Sequence, residues 1–273
     1  ILVKKIIYIT DLSLPSNKAQ AVHIFKMIDN LLTFMDEALL ICPKFNKNVN
    51  AKSLKSYFNL HTKKKIKLIS IFKNLNLNSI INRLIYGFKV ASKLKDDNNL
   101  IISRSLISSL FLTIFKVNHF LEIHQELKGF TKFLFINLNF IYSKYIIKII
   151  FISKGLSKFY KLNEKKYIVL HDACDLRDFK SKHRLKKKIK NVYYLGSFYK
   201  GRGIEVIKSL ASLTPELNYY LYGLRDENVK SFKNFKVFPL VSYKQTIKLI
   251  NKADALLMPY QSKVSINSLN FND

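Results

Sequence analysis

Short runs of apolar, often β-branched residues alternate along the chain with longer segments whose apolar positions recur at helical spacing. In the first half of the chain, strands are predicted at residues 3–10, 37–42, 100–103, 120–123 and 146–152. A helical pattern at 19–34 follows the first of these runs, and further helical patterns separate later ones. Because strands that alternate with helices indicate parallel βαβ units, the pattern predicts a doubly wound α/β fold.

The same alternation resumes after a Lys-rich stretch at residues 180–190. Strands are predicted there at 191–196, 217–222, 237–240 and 255–258, with helices at 204–213 and 243–252. The sequence therefore predicts two Rossmann-like domains in series, each with a parallel sheet. The expected boundaries are 1–166 for an N-terminal domain, 167–190 for a hinge and linker, and 191–273 for a C-terminal domain whose pattern stops before it is complete.

Composition adds a strong positive charge to this picture. The 273 residues include 47 Lys and Arg against 18 Asp and Glu, which gives a formal net charge of +29. Such an excess favours polyanionic partners such as nucleic acid, anionic lipid or phosphorylated substrates. The chain is also rich in Lys, Asn, Ile and Phe and lacks Trp, as expected from an AT-rich genome, so part of the charge is attributed to codon usage.

The two cysteines argue against a structural metal site or a disulfide framework. Cys42 and Cys174 form no CxxC pair and no Cys/His cluster, which favours a reduced, cytoplasmic setting. No run reaches the roughly 18 uninterrupted apolar residues that a membrane-spanning helix requires.

A basic and apolar segment at residues 52–95 suggests contact with a membrane surface. Lysines alternate with apolar residues at 63–69, and a second apolar group follows at 80–88. Such a surface can settle on an anionic bilayer, with apolar side chains buried and lysines paired with head groups. Solvated helix faces in a Lys-rich protein explain the same pattern, and the sequence leaves both interpretations open.

A β-prone run that ends at Gly196 is followed by a short basic loop and a helix that begins near Gly203. This order places backbone N–H groups and the Arg202 side chain where a helix N-terminus can hold a phosphate. Two glycines that only turn the chain, with Arg202 as a solvated loop residue, are the alternative.

His124 directly follows a predicted strand, at the sheet edge where doubly wound folds bind ligands. A neutral imidazole there can donate or accept a proton near neutral pH. The alternative is a strand-end histidine bonded to the backbone. Glu122, on the same face of the strand, is expected either to orient His124 or to pair with a nearby lysine. His23 is interpreted as a surface or core residue rather than a catalytic one.

Six segments, taken in chain order, resemble motifs of the family 4 glycosyltransferases of GT-B architecture. They are LPSNKAQAVH at 14–23, LEIH at 121–124, ISKGL at 152–156, VLHDACDLRDF at 169–179, the loop at 195–203, and ADALLMP at 253–259. The resemblance covers nearly the whole chain and implies a retaining transferase that uses a nucleotide-diphosphate sugar. It further implies a lipid-linked or polysaccharide acceptor in cell-envelope glycan synthesis, with the N-terminal domain on the acceptor side.

The resemblance also assigns roles to individual residues. His124 would contact the donor sugar, while Arg202, Gly203 and Gly196 would meet the donor diphosphate. Ser197 stands where many members have a first phosphate-binding arginine, a departure for which Lys200 could partly compensate. No metal and no cofactor are expected, since protein cations and helix dipoles replace the metal and the nucleotide sugar is itself a substrate.

The loop of Ser16, Asn17 and Lys18 would lie near the acceptor and the donor phosphates. A polar helix N-cap explains Ser16 and Asn17 equally well.

One family motif is missing from the sequence. Members carry two glutamates seven residues apart after the segment that resembles 253–259, but the fourteen residues after Pro259 contain no Glu. A truncated chain is therefore expected. Alternatives are an inactive fragment that binds only membrane or acceptor, and a GT-B sugar-nucleotide epimerase. Nucleic-acid binding is disfavoured because no recognised nucleic-acid motif accompanies the charge.

Overall fold

The computed structural model describes seven stretches of the chain, namely residues 5–16, 18–45, 50–73, 77–97, 99–179, 188–224 and 229–260. The chain forms two compact units, Ile1–Cys174 and Asp175–Asp273. This division falls inside the segment 167–190 that was predicted as a hinge. The assignment of the units to acceptor and donor stays a prediction.

The first unit is built on a sheet of seven parallel strands in the order β3-β2-β1-β4-β5-β6-β7. The strands are β1 Lys5–Ile9, β2 Glu37–Cys42, β3 Lys65–Ser70, β4 Leu100–Ser103, β5 His119–Ile123, β6 Ile146–Phe151 and β7 Tyr167–Val169. The strand order reverses between β1 and β4, and doubly wound sheets bind their ligands beside such a reversal. Because all seven strands are parallel, their carboxyl ends lie along one side of the sheet, which is called the active edge below.

Helices connect these strands on both faces of the sheet. They are α1 Ala19–Leu31, α2 Ala51–Tyr57, α3 Ile80–Leu94, α4 Leu106–Ile114, α5 Gly129–Lys132 and α6 Lys154–Lys158. Serine side chains cap α3, α4 and α6, each accepting a backbone N–H from the first turn. Within the described residues, no helix combines the length and the apolar character needed to cross a bilayer.

Strand β3 was missed in the sequence pattern. Its residues lie in the basic segment 52–95, where Lys65 is exposed and Ile66 is buried. The lysines belong to the outermost strand of the sheet, where charged side chains discourage pairing with another chain. Part of the predicted membrane surface is therefore an edge strand of the sheet, and its contact with a membrane stays a prediction.

The second unit contains four parallel strands in the order β10-β9-β8-β11. The strands are β8 Asn191–Leu195, β9 Asn218–Gly223, β10 Phe235–Pro239 and β11 Ala255–Leu256, and the helices are α7 Ile204–Leu213 and α8 Tyr243–Ile250. Alternate residues of β8 and β9 pack with α7 in one core, among them Tyr194, Leu221 and Ile207. The predicted α/β class with two parallel sheets is confirmed.

Candidate functional site

The buried carboxylate of Glu122 is the centre of a polar cluster in the first unit. Glu122 lies in β5 and is 2% exposed. Its Oε2 accepts a hydrogen bond from the Tyr8 hydroxyl. Its Oε1 accepts from His23 Nε2 at 2.9 Å and from His124 Nε2, and the Arg104 guanidinium lies 3.5 Å away. Four donors thus converge on one carboxyl group.

The topology of the sheet explains why these residues meet. His124 follows Glu122 by two positions, so both side chains point to the same face of β5. Arg104 is the first residue after β4, and its backbone N–H donates to the Ile9 carbonyl at 2.9 Å. Both residues therefore stand at the active edge, where the adjacent strands β4 and β5 end.

Glu122 is an ionised carboxylate at neutral pH. Burial raises its pKa, but hydrogen bonds from His124, His23 and Tyr8 and the charge of His23 outweigh burial and hold the pKa well below its usual range. Burial, reinforced by the Glu122 charge, raises the pKa of Tyr8 well above its usual value. Tyr8 therefore stays protonated and acts as a donor.

His23 connects this carboxylate to a second one. Its Nε2 bonds Glu122 and its Nδ1 lies 3.2 Å from Asp172 Oδ1. The ring therefore lies between two carboxylates, the buried Glu122 and the exposed Asp172. The ring also meets the His124 ring edge-on, with centroids 4.7 Å apart. The interpretation of His23 from the sequence, as a surface or core residue, did not include these contacts.

His124 has one ring nitrogen that its bond to Glu122 leaves available. Because Nε2 donates to the carboxylate, the neutral tautomer carries its lone pair on Nδ1. The partly buried ring can therefore accept a hydrogen bond, or a proton, from a hydroxyl at the active edge.

His119 has the backbone-bonded arrangement that was the alternative for His124. It is fully buried, its Nδ1 donates to the Val117 carbonyl at 2.9 Å, and its Nε2 lies 2.7 Å from Ser109 Oγ. Burial lowers its pKa to about 4, which keeps the ring neutral. The two histidines near β5 thus have different environments, and only His124 stands at the active edge.

His23, Glu122 and His124 also form a set of ligand types that could hold a metal ion, with ligand atoms within 4.8 Å of one another. In this arrangement both carboxylate oxygens already accept hydrogen bonds. The Arg104 guanidinium beside Oε1 also repels a second cation. The donor set therefore fits a hydrogen-bonded network better than a metal centre.

The predicted phosphate loop follows β8 in the second unit. Gly196 N–H donates to the Tyr222 carbonyl at 2.9 Å and extends the pairing of β8 with β9. A Cβ on Gly223 would lie 1.7 Å from the Gly196 carbonyl oxygen, so the backbones pass in direct contact. The Ser197 carbonyl accepts from the Tyr194 hydroxyl at 2.7 Å, which fixes the start of the loop.

Gly203 is the N-cap of α7 and has a left-handed backbone, with φ of 76°. A Cβ at this position would lie 2.0 Å from the Pro259 carbonyl oxygen. The backbone of Pro259 therefore passes in direct contact with Gly203.

Arg202 presents a guanidinium with spare hydrogen-bonding capacity. It lies over the Tyr260 ring, 4.6 Å from the ring centroid. Its Nε is buried and has no hydrogen-bond partner among the residues that the structure describes. A buried donor of this kind is costly unless an acceptor satisfies it, which suits an anionic ligand.

The loop before α1 is only partly described. Ser16 Oγ accepts from the Lys18 N–H at 3.2 Å, and Lys18 is the exposed N-cap of α1. Ser16 therefore lies two residues before the cap position. Asn17 lies outside the described residues.

The candidate residues fall into two groups. His124, Ser16 and Lys18 belong to the first unit, whereas the group from the β8–α7 loop belongs to the second, namely Gly196, Ser197, Arg202 and Gly203.

Two residues of the Glu122 cluster, Tyr8 and Arg104, were not predicted from the sequence. Arg104 could have been found, because it follows a short strand as His124 does.

Comparisons with solved structures identify the fold. Sucrose-phosphate synthase from Thermosynechococcus elongatus aligns with a TM-score of 0.60 and 10% identity, over 94% of this chain and 75% of that protein. TarM aligns with a TM-score of 0.62 and 9% identity, over 93% and 79%. The UDP-GlcNAc 2-epimerase from Neisseria meningitidis, bound to UDP-GlcNAc, aligns with a TM-score of 0.55 and 12% identity, over 91% and 76%.

No protein-family model matches the sequence, and no curated protein matches it significantly. The structural neighbours are GT-B glycosyltransferases and epimerases, so the chain has the GT-B fold. Both kinds of enzyme share this fold.

Proposed function

We propose that the chain is a retaining glycosyltransferase that moves a sugar from a nucleotide-diphosphate sugar to a lipid-linked or polysaccharide acceptor in cell-envelope glycan synthesis. One observation carries the proposal. The His124 ring is held by the ionised Glu122 at the carboxyl edge of a seven-stranded parallel sheet, with Nδ1 available to a substrate hydroxyl. The family 4 motifs and the GT-B fold support the same assignment.

In the first unit, the cluster supplies both orientation and charge. Glu122 fixes the tautomer of His124, and His124 Nδ1 accepts a hydrogen bond from a hydroxyl of the donor sugar. The Arg104 guanidinium lies 3.5 Å from the same carboxylate and balances its charge.

In the second unit, Arg202 and the start of α7 would bind the donor diphosphate. A guanidinium can bond two phosphate oxygens at once, and neutralising the leaving group lowers the barrier to its departure. The bond from the anomeric carbon to the diphosphate breaks and the bond to the acceptor oxygen forms on the same face. The acceptor proton passes to an oxygen of the leaving phosphate, so the step needs no metal.

A lipid-linked acceptor would place the enzyme peripherally on the inner face of the cytoplasmic membrane. The basic segment 52–95 gave this expectation. Helix α3 of this segment exposes Ile81, Ile85 and Phe88 at helical spacing, but the Phe88 ring packs on Phe111 and Phe115, so this α3 stripe does not by itself identify the membrane contact.

A sugar-nucleotide epimerase is the second candidate. The observation in its favour is the similarity to an epimerase solved with UDP-GlcNAc. An epimerase would invert a stereocentre of the nucleotide sugar without an acceptor, and the experiment below separates the two reactions.

The decisive experiment measures nucleotide diphosphate release from UDP-, GDP- and ADP-sugars, with and without a membrane lipid extract as acceptor. Acceptor-dependent release, reduced about 100-fold or more in His124→Ala, is the expected result. His171→Ala is the matched control, since His171 is exposed. An epimerised nucleotide sugar without acceptor would instead establish the second candidate. If none of these sugars shifts the melting temperature, the donor site itself is wrong and an inactive binding fragment remains.

A further inference from the structure

A second cationic and apolar surface lies outside the segment 52–95. Residues 127–163 contain seven lysines and no Asp, Glu or Arg. All charged residues in these 37 consecutive positions are therefore positive. The segment includes the end of the loop after β5, strand β6 and helix α6.

An exposed apolar stripe runs along the first helix of this segment. Helix α5 continues without a break into a π-helix at Phe133–Asn137. Leu138 N–H donates to the Phe133 carbonyl at 3.1 Å, the spacing of a π turn, so these residues lie on one side. Phe130 precedes Phe133 by one helical turn. The side chains of Phe130, Phe133 and Leu138 are 51%, 49% and 50% exposed.

The opposite side of this helix is firmly packed. Phe135 is fully buried in the core that includes Leu127 and Ile149, and Leu134 and Ile136 pack against the same core. The exposed stripe is therefore not an incompletely packed core face. It is a fixed apolar surface, and Lys128 and Lys132 lie exposed beside it.

The stripe follows the active edge closely in sequence. It begins six residues after His124, in the helix α5 that follows the loop leaving β5. The Tyr160 hydroxyl accepts from Leu127 N–H at 2.8 Å and donates to the Gln125 carbonyl at 3.3 Å. These bonds tie the residues after α6, including Phe159 at 68% exposure, to the same loop.

We propose that the surface of Phe130, Phe133, Leu138, Lys128 and Lys132, called the docking stripe, settles on an anionic lipid bilayer. Aromatic and aliphatic side chains enter the interface between head groups and acyl chains, while the lysines pair with lipid phosphates. Docking here would bring the His124 edge towards the head groups. The inference rests on the proposed function for the lipid-linked acceptor, but bilayer binding itself requires no turnover.

The positive charge of this surface favours a bilayer over a second copy of the chain as its partner. A second copy would bring like charges together at this surface, since residues 127–163 offer no carboxylate to pair with the lysines. A bilayer supplies a continuous anionic surface and an apolar layer beneath it. The α3 stripe is less suited, because its Phe88 ring packs on Phe111 and Phe115 at 6.0 and 5.7 Å.

The test is co-sedimentation of the full chain with phosphatidylcholine vesicles, with and without about 30% phosphatidylglycerol. Binding only to the anionic vesicles, weakened by salt, is expected. Phe130→Ser/Phe133→Ser and Lys128→Glu/Lys132→Glu should each reduce the affinity about tenfold or more. The matched control Ile81→Ser/Ile85→Ser on α3 should keep it. Far-UV circular dichroism confirms that each variant is folded.

The inference is overturned if the wild type ignores anionic vesicles, or if the α3 variant loses binding while the docking-stripe variants keep it. A dimer that the Phe130→Ser/Phe133→Ser change abolishes would identify a second copy as the occupant. Melting-temperature shifts with nucleotide sugars are measured on the same proteins. Vesicle binding without any such shift would leave the docking stripe intact and count against the transferase proposal.

Discussion

The carbonyl oxygen of Pro259 lies so close to Gly203 that a Cβ at position 203 would come within 2.0 Å of it. Pro259, which follows β11, thereby lies against Gly203 at the start of α7, and the next residue, Tyr260, stacks on Arg202. Two of the residues predicted to bind phosphate are thus fixed by the same short segment. This contact links the stability of the second unit to the geometry of the loop.

Gly203→Ala should destabilise the second unit. The left-handed φ of 76° costs a non-glycine residue of order 1–3 kcal/mol, and the contact with Pro259 adds to it. Urea unfolding followed by tyrosine fluorescence measures the loss. Gly129→Ala is the control, since its φ is 52° but a Cβ there meets nothing within 4 Å. Equal losses in both variants would mean that the Pro259 contact contributes nothing.

Tyr260→Ala should weaken nucleotide binding through the orientation of Arg202. Loss of a stacking contact of about 0.5–1 kcal/mol corresponds to roughly a twofold to fivefold rise in the Kd of the nucleotide diphosphate. Tyr260→Phe keeps the ring and should bind as the wild type does. Arg202→Ala should cost more, roughly tenfold or above, because a charge-assisted bond is lost. Isothermal titration with UDP and GDP gives these values, and a Tyr260→Ala protein with unchanged affinity would refute the positioning role.

Much of the fold was readable from the sequence because buried parallel strands are apolar in most positions. β1, β2 and β4 are of this kind, and their runs of apolar residues predict strands directly. β3 was missed because it is an edge strand in which only Ile66 is buried and lysines occupy the intervening positions. Its pattern resembles a solvated surface more than a strand.

From the sequence, a residue of the candidate site could be predicted only where its position relative to a strand was enough to place it. His124 could be placed at the active edge because it follows a strand. The partners Tyr8 and His23 are 114 and 99 residues from Glu122 in sequence, and only the strand order brings them together. A single sequence does not specify which strands become neighbours. His23 was therefore interpreted as a surface or core residue, without its contacts to Glu122 and Asp172.

Glu122 should make the first unit sensitive to acid. Its pKa is depressed in the folded chain, so its contribution to stability is present above the unfolded value of about 4.3 and is lost as the pH falls through the folded value. Between about pH 4.5 and pH 3, the free energy of unfolding should therefore fall more steeply in the wild type than in Glu122→Gln. Urea titrations across this range test it, and Glu126→Gln at an exposed site should behave as the wild type. Parallel curves for Glu122→Gln and the wild type would contradict the depressed pKa.

Chelation should leave the reaction rate unchanged. The carboxylate oxygens of Glu122 already accept hydrogen bonds, and Arg104 supplies the positive charge beside them. Initial rates of nucleotide release after dialysis against EDTA should match those of untreated protein. Loss of activity that Mn²⁺ or Zn²⁺ restores would show that His23, Glu122 and His124 hold a metal after all.

His119 should make the free energy of unfolding depend on pH at higher pH values than Glu122 does. Its folded pKa of about 4 lies below the unfolded value of 6.5, because burial disfavours the charged ring. The stabilisation is complete above pH 6.5 and is lost as the pH falls towards 4, by roughly 3 kcal/mol over this interval. The free energy of unfolding in the wild type should decline between pH 6.5 and 4.5, where Glu122 still contributes fully. His119→Gln should show a flatter profile, and His171→Gln, at an exposed position, should retain the decline. A decline that persists in His119→Gln would show that another group titrates in this window.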